Sequence, residues 1–230
     1  MKASALKHVP LFSSLENDEL ETIAAGASIH RVKAETTVLR VDQTGDSLFV
    51  ILSGRVSVSM HSDEGREVIL SILTDGDFFG EMALLDGYPR SATVVTTEPT
   101  ELLELRRYDF LQCLARYPQI ATRMLSTLAH RIRRTNRQVE NLALLNAYGR
   151  VAAVLFQLAE DQVGDGLDVA RITILERPML KEIAHMAGTT RETVSRIMNN
   201  LEKDGYIERK GRKITIIYTD RLYDDFFLHP

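Results

Sequence analysis

The stretch FGEMALLDGYPRSATV, residues 79–94, decides how the chain is read. It interrupts a run of short strands with one or two turns of expected helix beginning at Gly80, whose free N–H groups point at whatever lies before them. A glycine there lets a ligand approach the backbone, the amides suit an anion, and the Arg90 guanidinium suits paired phosphate oxygens. Ser91 adds a hydroxyl donor. Glu81 would repel a phosphate if it pointed at one, which leaves it to accept hydrogen bonds from a ribose hydroxyl beside the anion. The same spacing also fits a hairpin loop closed by a surface ion pair between Glu81 and Arg90, worth about 0–1 kcal/mol.

Working outward, residues 28–106 are short stretches of Val, Ile and Leu punctuated by Gly and Asp, with no helical period. Strands are expected over Ser28–Val32, Val38–Val41, Ser47–Leu52, Val56–His61, Val68–Leu73, Ala92–Thr97 and Leu102–Leu105. Turns fall at Asp42–Asp46 and Asp63–Gly65, and Gly54 supplies the positive φ of a tight hairpin. Such closely spaced strands predict a barrel or sandwich. Upstream, Ser13 and Glu16 stand at capping-box spacing before a helix expected over residues 15–26.

The 230 residues suit two modest domains, and 44% apolar with 26% charged residues excludes disordered, collagenous and disulfide-scaffold classes. A lone cysteine, Cys113, forms no internal bridge and holds no multi-cysteine iron–sulfur cluster. No signal-peptide core is present, and the longest apolar run is Val151–Phe156, so a cytoplasmic protein with no membrane partner is expected. The histidines lack metal spacing and no nucleophile motif occurs, which argues against an enzyme, a metal site or a permanently bound cofactor. A net charge of −4, from 28 basic and 32 acidic residues, argues at first sight against nucleic acid.

FGEMALLDGYPRSATV, together with GDSLFVILSGRVSV at residues 45–58, closely resembles the phosphate-binding cassette and upstream strands of the cyclic-nucleotide-binding domain. The resemblance implies that Gly80 and Glu81 hold the ribose, that Arg90 and Ser91 hold the cyclic phosphate, and that Met82 and Ala83 line the same turn.

Beyond Pro118 the chain runs to Ala147 without Gly or Pro, long enough for a helix of about 45 Å at 1.5 Å per residue. Leu125, Ile132 and Val139 fall at heptad position a, and Ala121, Leu128, Thr135 and Leu142 at d, which predicts a parallel two-helix coiled coil and hence a homodimer. Thr135, polar at d, either fixes register or meets a ligand. In the Crp/Fnr transcription regulators that the cassette resembles, a threonine and a serine at this place contact the nucleotide base. Thr135 matches and Asn136 departs, presenting both a donor and an acceptor. The effector implied is cyclic AMP, with cyclic GMP or cyclic di-GMP open. Arg131, Arg133, Arg134 and Arg137 read as a solvated helix flank that would also suit a ligand with more phosphate.

Gly149 marks an expected break, followed by an amphipathic helix over Arg150–Asp161 and a Gly/Asp linker at Val163–Gly166. A helix over Arg177–Ala187, a turn at Gly188 and a further helix capped by Thr189, with Glu192 at the capping-box position, form a helix-turn-helix. In the second helix Val194, Ile197, Met198 and Leu201 recur on one face, and Glu192, Ser195, Arg196 and Asn199 share the other, with Arg191 at its edge. Arg offers paired donors to guanine and Glu accepts from cytosine, so Arg191, Glu192 and Arg196 are the expected base readers. TTRETVSRIMNNLEKDGYIERKGRKITII, residues 189–217, resembles the family's recognition helix and wing throughout. The wing strands would be Ile207–Arg209 and Ile214–Ile217, with Lys210 and Arg212 at a basic tip and Thr190 completing the DNA contacts. The implied target is a palindrome of TGTGA-like half-sites. Residues 171–213 hold ten basic and six acidic residues, so a cationic reading head had been hidden in the total.

The reading is an α+β chain: a β-roll or jelly-roll cyclic-nucleotide-binding domain over 1–117, a dimerisation helix over 118–147, and a winged helix-turn-helix over 148–230. Double-stranded DNA and a second copy are the expected partners, with RNA polymerase allowed. A regulator active without nucleotide, and a nucleotide-binding regulatory subunit of another protein, are the alternatives.

Overall fold

Alternating apolar and polar residues over 27–106 pair as eight antiparallel strands in two four-stranded sheets. The computed structural model describes residues 2–61, 67–163, 171–175, 178–211 and 213–217. Two compact units divide at Arg133 and Arg134.

In the first unit a short helix α1 (Lys2–Leu6), a 3-10 turn (Pro10–Phe12) and α2 (Asn17–Gly26) precede the strands. These are β1 (Ala27–Val32), β2 (Thr37–Leu39), β3 (Ser47–Ser53), β4 (Val56–His61), β5 (Glu67–Leu73), β6 (Phe78–Phe79), β7 (Thr93–Thr96) and β8 (Thr100–Arg106). Helix α3 (Glu81–Asp86) lies between β6 and β7, and α4 (Arg107–Arg116) and α5 (Pro118–Leu144) follow. The sheet orders are β1-β8-β3-β6 and β2-β7-β4-β5, two facing sheets where the strand spacing predicted a barrel or sandwich and the family resemblance a β-roll or jelly roll. Because side chains alternate across a strand, Leu48, Val50, Leu103 and Leu105 of the first sheet join Phe12, Leu20, Ile23 and Phe110 in one buried cluster. The opposite set, Ile51 and Leu102, packs with Val56, Phe79 and Val94 in a second. Ile120 and Met124 of α5 belong to the first cluster, and Leu128 packs against it.

Three expectations change here. The opening helix starts at Asn17, because the Glu16 N–H donates to Glu19 Oε2 at 2.8 Å while the Ser13 hydroxyl bonds back to Pro10 O. Gly54 makes no hairpin: β3 and β4 belong to different sheets, and Gly54 (φ 107°) carries the chain between them. A Cβ there would sit 2.6 Å from Thr100 Oγ1. Strand β6, two phenylalanines before a glycine, was too short to show any period. The expected turn at residues 63–65 lies outside the described residues.

The second unit takes the end of α5, then α6 (Ala147–Val163), β9 (Ile172–Ile174), α7 (Leu180–Met186), α8 (Arg191–Lys203), β10 (Ile207–Lys210) and β11 (Lys213–Ile216). The three strands form an antiparallel sheet in the order β10-β11-β9. Val194, Ile197, Met198 and Leu201 of α8 are buried, as their spacing required, together with Ile183, Leu155, Ile207 and Ile214. The long helix stops at Leu144, short of the expected end at Ala147, and Gly149 does not mark the break. Asn146 Oδ1 accepts from the N–H groups of Tyr148 (2.9 Å) and Gly149 (3.1 Å), so α6 begins at Ala147 and Gly149 is buried within its first turn. Helix α7 starts at Leu180 because Pro178 disfavours helix before it and Glu182 accepts the Met179 N–H at 2.6 Å. Arg177 and residues 164–166 of the expected linker lie outside the described residues.

Asn146→Ala removes the acceptor that starts α6, and should lower stability by about 0.5–2 kcal/mol. A fall in the urea midpoint followed by circular dichroism checks this.

Candidate functional site

Arg90 is fixed first by its backbone, whose N–H donates to Gln43 O (2.8 Å) while its carbonyl accepts from Asp42 N–H (2.9 Å). Its side chain then runs inward until the residue is 6% exposed. Nη1 donates to Gly80 O at 2.6 Å and Nη2 to Ser47 O at 2.9 Å. The guanidinium passes between two glycines: a Cβ on Gly45 would lie 2.1 Å from Arg90 Nε, and one on Gly80 would lie 2.7 Å from Nη1. Gly80 also holds φ 84° as the residue before α3. Burial lowers the Arg90 pKa from its ordinary value, and the charges of Asp46, Glu81 and Glu104 oppose that shift. Arginine has five N–H donors, so a guanidinium with two carbonyl partners keeps donors for a compact anion.

Glu81, 4% exposed, does not pair with Arg90 as the surface-loop alternative required. Its Oε1 accepts from Arg131 Nη1 at 3.0 Å, Arg131 Nη2 donates to Phe78 O at 2.6 Å, and the guanidinium lies 4.7 Å from the Phe78 ring centroid. Arg131 is therefore no solvated flank. Desolvating Glu81 would cost several kcal/mol without such a partner, and a cation over an aromatic face adds to the hold. Ser91 Oγ lies 3.4 Å from Met82 Sδ, and Arg107 Nη1 donates to Ala83 O at 3.2 Å. Gly80, Glu81, Met82, Ala83, Arg90 and Ser91 thus gather about one short turn. Thr135 and Asn136 are exposed on the part of α5 that belongs to the second unit. There Arg137 Nη1 lies 3.2 Å from Glu160 Oε2, and Arg134 reaches the Gln157 carboxamide. Along α5, Leu125, Ile132, Val139 and Leu142 are exposed, by 67%, 61%, 60% and 46%, so this apolar stripe is not consumed by the chain's own core.

In the second unit the turn before α8 is closed by Thr189 N–H to Ala184 O (2.9 Å) with Gly188 at φ 58°. The cap is Thr190, one residue later than expected: its Oγ1 accepts the Thr193 N–H at 3.2 Å, which leaves Glu192 outside the capping-box position. Arg191, Glu192, Arg196 and Asn199 are exposed on one face with Ser195 half-buried, beside a shallow cleft of about 510 Å³ that they line with Leu180 and Asn200. Lys210 is exposed at the end of β10, and Arg212 lies outside the described residues. A helix with an apolar buried face, a cationic exposed one and a basic hairpin beyond it can enter a major groove and hold the flanking phosphates.

Residues 29–117 match the family described as cyclic nucleotide-binding domain, and residues 149–224 the Crp-like helix-turn-helix domain. The cAMP-activated global transcriptional regulator CRP of Pasteurella multocida is 34% identical over 205 residues, covering 87% of this chain and 95% of that protein. Among solved structures, the c-di-GMP responsive global regulator CLP of Xanthomonas campestris is 25% identical with a TM-score of 0.71, over 88% of this chain and 99% of that one. Thermus thermophilus catabolite activator protein is 30% identical with a TM-score of 0.54, over 94% and 97%. The chain belongs to the Crp/Fnr family. As a Crp/Fnr protein it is a ligand-responsive, DNA-binding transcription regulator built on a cyclic-nucleotide-binding domain, and that family is not one of enzymes. Among the described residues no helix is long and apolar enough to cross a membrane.

Two arginines of this Crp/Fnr chain escaped sequence reasoning. Arg131 is 50 residues from its partner Glu81, a separation at which no spacing rule operates. Arg209, read only as the end of a wing strand, binds the recognition helix: its backbone N–H donates to Glu202 Oε1 (3.0 Å), its Nε to Glu202 Oε2 (3.0 Å) and its Nη2 to Asn199 Oδ1 (2.7 Å).

Hydrogen bonds from the Arg209 side chain hold the Glu202 carboxyl below its ordinary pKa. The contact's stabilisation is therefore complete above the unfolded-state value, about 4.3, and is lost as the pH falls through the lowered folded value. The gap in urea midpoint between the native chain and Glu202→Gln should be widest near neutral pH and close in acid.

Proposed function

We propose that the chain is a homodimeric regulator, controlled by cyclic AMP, that reads a palindromic operator with TGTGA-like half-sites in the cytoplasm. The observation that carries this reading is the Arg90 guanidinium buried between Gly45 and Gly80 beside the buried Glu81. Arg90 and Ser91 take the cyclic phosphate, Gly80 and Glu81 the ribose, Met82 and Ala83 line that turn, and Thr135 and Asn136 discriminate the base. The cAMP-activated regulators at 34% identity favour cyclic AMP. Likeness to the c-di-GMP responsive CLP supports a second reading. Against it, Arg131 and Arg137, two of the cations a second phosphate would want, already face carboxylates.

Dimerisation buries the exposed stripe of Leu125, Ile132, Val139 and Leu142, with Leu128 and Thr135 at the remaining seam positions. DNA is met by Thr190, Arg191, Glu192, Ser195, Arg196 and Asn199 of the recognition helix and by Lys210 and Arg212 of the wing. A regulatory subunit acting on a partner protein has no use for such a face. Ligand control is a population shift: cyclic AMP favours the DNA-competent arrangement by binding it more tightly than the alternative. RNA polymerase is the further partner that transcription control would bring to the DNA-bound dimer.

A thermal-shift panel of cyclic AMP, cyclic GMP and cyclic di-GMP tests the effector. At 100 times its dissociation constant the true ligand adds about 2.7 kcal/mol to the folded state. Cyclic AMP should give the largest shift and Arg90→Leu should erase it; a shift that survives Arg90→Leu contradicts the site. Ile132→Asp should give monomers in light scattering, whereas a persisting dimer refutes the seam. Ile132 is the better probe than Leu128, which packs on its own chain's core.

A further inference from the structure

The contact between the wing and the recognition helix is more than a brace. Arg209 on β10 reaches α8 through two residues one helical turn apart, Glu202 and Asn199. A guanidinium offers donors and no acceptor, so the Asn199 side chain must turn its carbonyl oxygen toward Arg209. That is the geometry found, with Oδ1 at 2.7 Å from Arg209 Nη2. Glu202, taking both the backbone N–H and the Nε of Arg209, prevents the guanidinium from swinging away. Asn199 is exposed and one turn beyond Arg196 on the same face. A free asparagine in a major groove characteristically pairs with adenine, accepting from N6 while donating to N7. With its carbonyl already accepting from Arg209, Asn199 turns its two amide N–H donors outward in place of that pair.

We propose that Arg209 is a positioning residue for DNA reading: by holding the Asn199 carbonyl it leaves the amide N–H groups as the reading end, making Asn199 a hydrogen-bond donor to a base-edge acceptor such as guanine O6 or N7. The inference rests on α8 being the reading helix. It adds that the wing determines which hydrogen-bonding pattern one α8 residue shows. An arginine on β10 thereby acts on base choice without touching a base.

Selection of duplexes from a randomised operator pool, with the full-length native chain, Arg196→Ala, Asn199→Ala and Arg209→Met, tests this. Asn199→Ala should lose preference at one symmetry-related pair of positions. Arg209→Met should change preference at that same pair, toward adenine, with the remaining positions unaltered, an effect that a merely bracing role would not produce. Asn199→Ala carries the test even if Arg209→Met proves unstable, since Asn199 is exposed. The inference is overturned if Asn199→Ala returns the native consensus, as a phosphate contact would, or if a folded Arg209→Met does so, while Arg196→Ala alters it. If Arg196→Ala also returns the native consensus, the reading face itself is wrong and the inference falls with it.

Discussion

A buried arginine cation constrains the whole first unit. Arg90 can reach the inside of the roll only because residues 45 and 80 have no side chains, and it stays there only because the carbonyls of Gly80 and Ser47 replace water. Three carboxylates, Asp46, Glu81 and Glu104, offset the charge. Two of these partners are tied down in turn: Glu81 by Arg131 of α5, and Glu104 by the Ser47 hydroxyl on one oxygen and by His30 Nε2 (2.7 Å) on the other. Strands β1, β3 and β8, the short helix α3 and the first part of α5 are thus joined through one charge network. An anion arriving at Arg90 adds negative charge to a set of two guanidinium and three carboxylate groups. The Glu81–Arg131 pair joins the turn around Arg90 to the long helix.

In the second unit the comparable constraint is at the joint after α5. Arg150 Nη1 donates to Leu145 O (2.9 Å), and its Nε to Ala187 O (2.8 Å) just before the glycine turn of the helix-turn-helix. Tyr148, two residues earlier, hydrogen-bonds Asn200 near the other end of α8, and burial raises its pKa. The end of α7 and the C-terminal half of α8 are therefore both tied to the first turn of α6, and Asn146 accepts from the N–H groups of that turn. The pairing of Arg209 with Glu202 and Asn199 ties the wing to α8.

The architecture was legible wherever the pattern was local. Short Val-, Ile- and Leu-rich stretches between Gly and Asp turns marked the seven longer strands of the roll, the apolar face of α8 marked its buried side, and the phosphate cassette carried enough specific residues to indicate the family. What escaped depended on partners distant in sequence. Glu81 invited pairing with Arg90, nine residues away, and took Arg131 instead, because only the fold brings α5 to β6. Gly54 signalled a positive φ correctly and a hairpin wrongly, since a torsion angle does not say which sheet the next strand joins. Cap positions slipped by a residue or more where two acceptors competed, as at Thr189 and Thr190, or Ser13 and Glu16.

The proposed function couples nucleotide binding to DNA reading in this one chain. Fluorescence anisotropy on a duplex with two inverted TGTGA-like half-sites, about one helical turn apart, measures it directly. Saturating cyclic AMP should tighten duplex binding about 5–150-fold, and the duplex should tighten cyclic AMP binding by the same factor, as linkage requires. Equal duplex affinity with and without saturating cyclic AMP would contradict the claim.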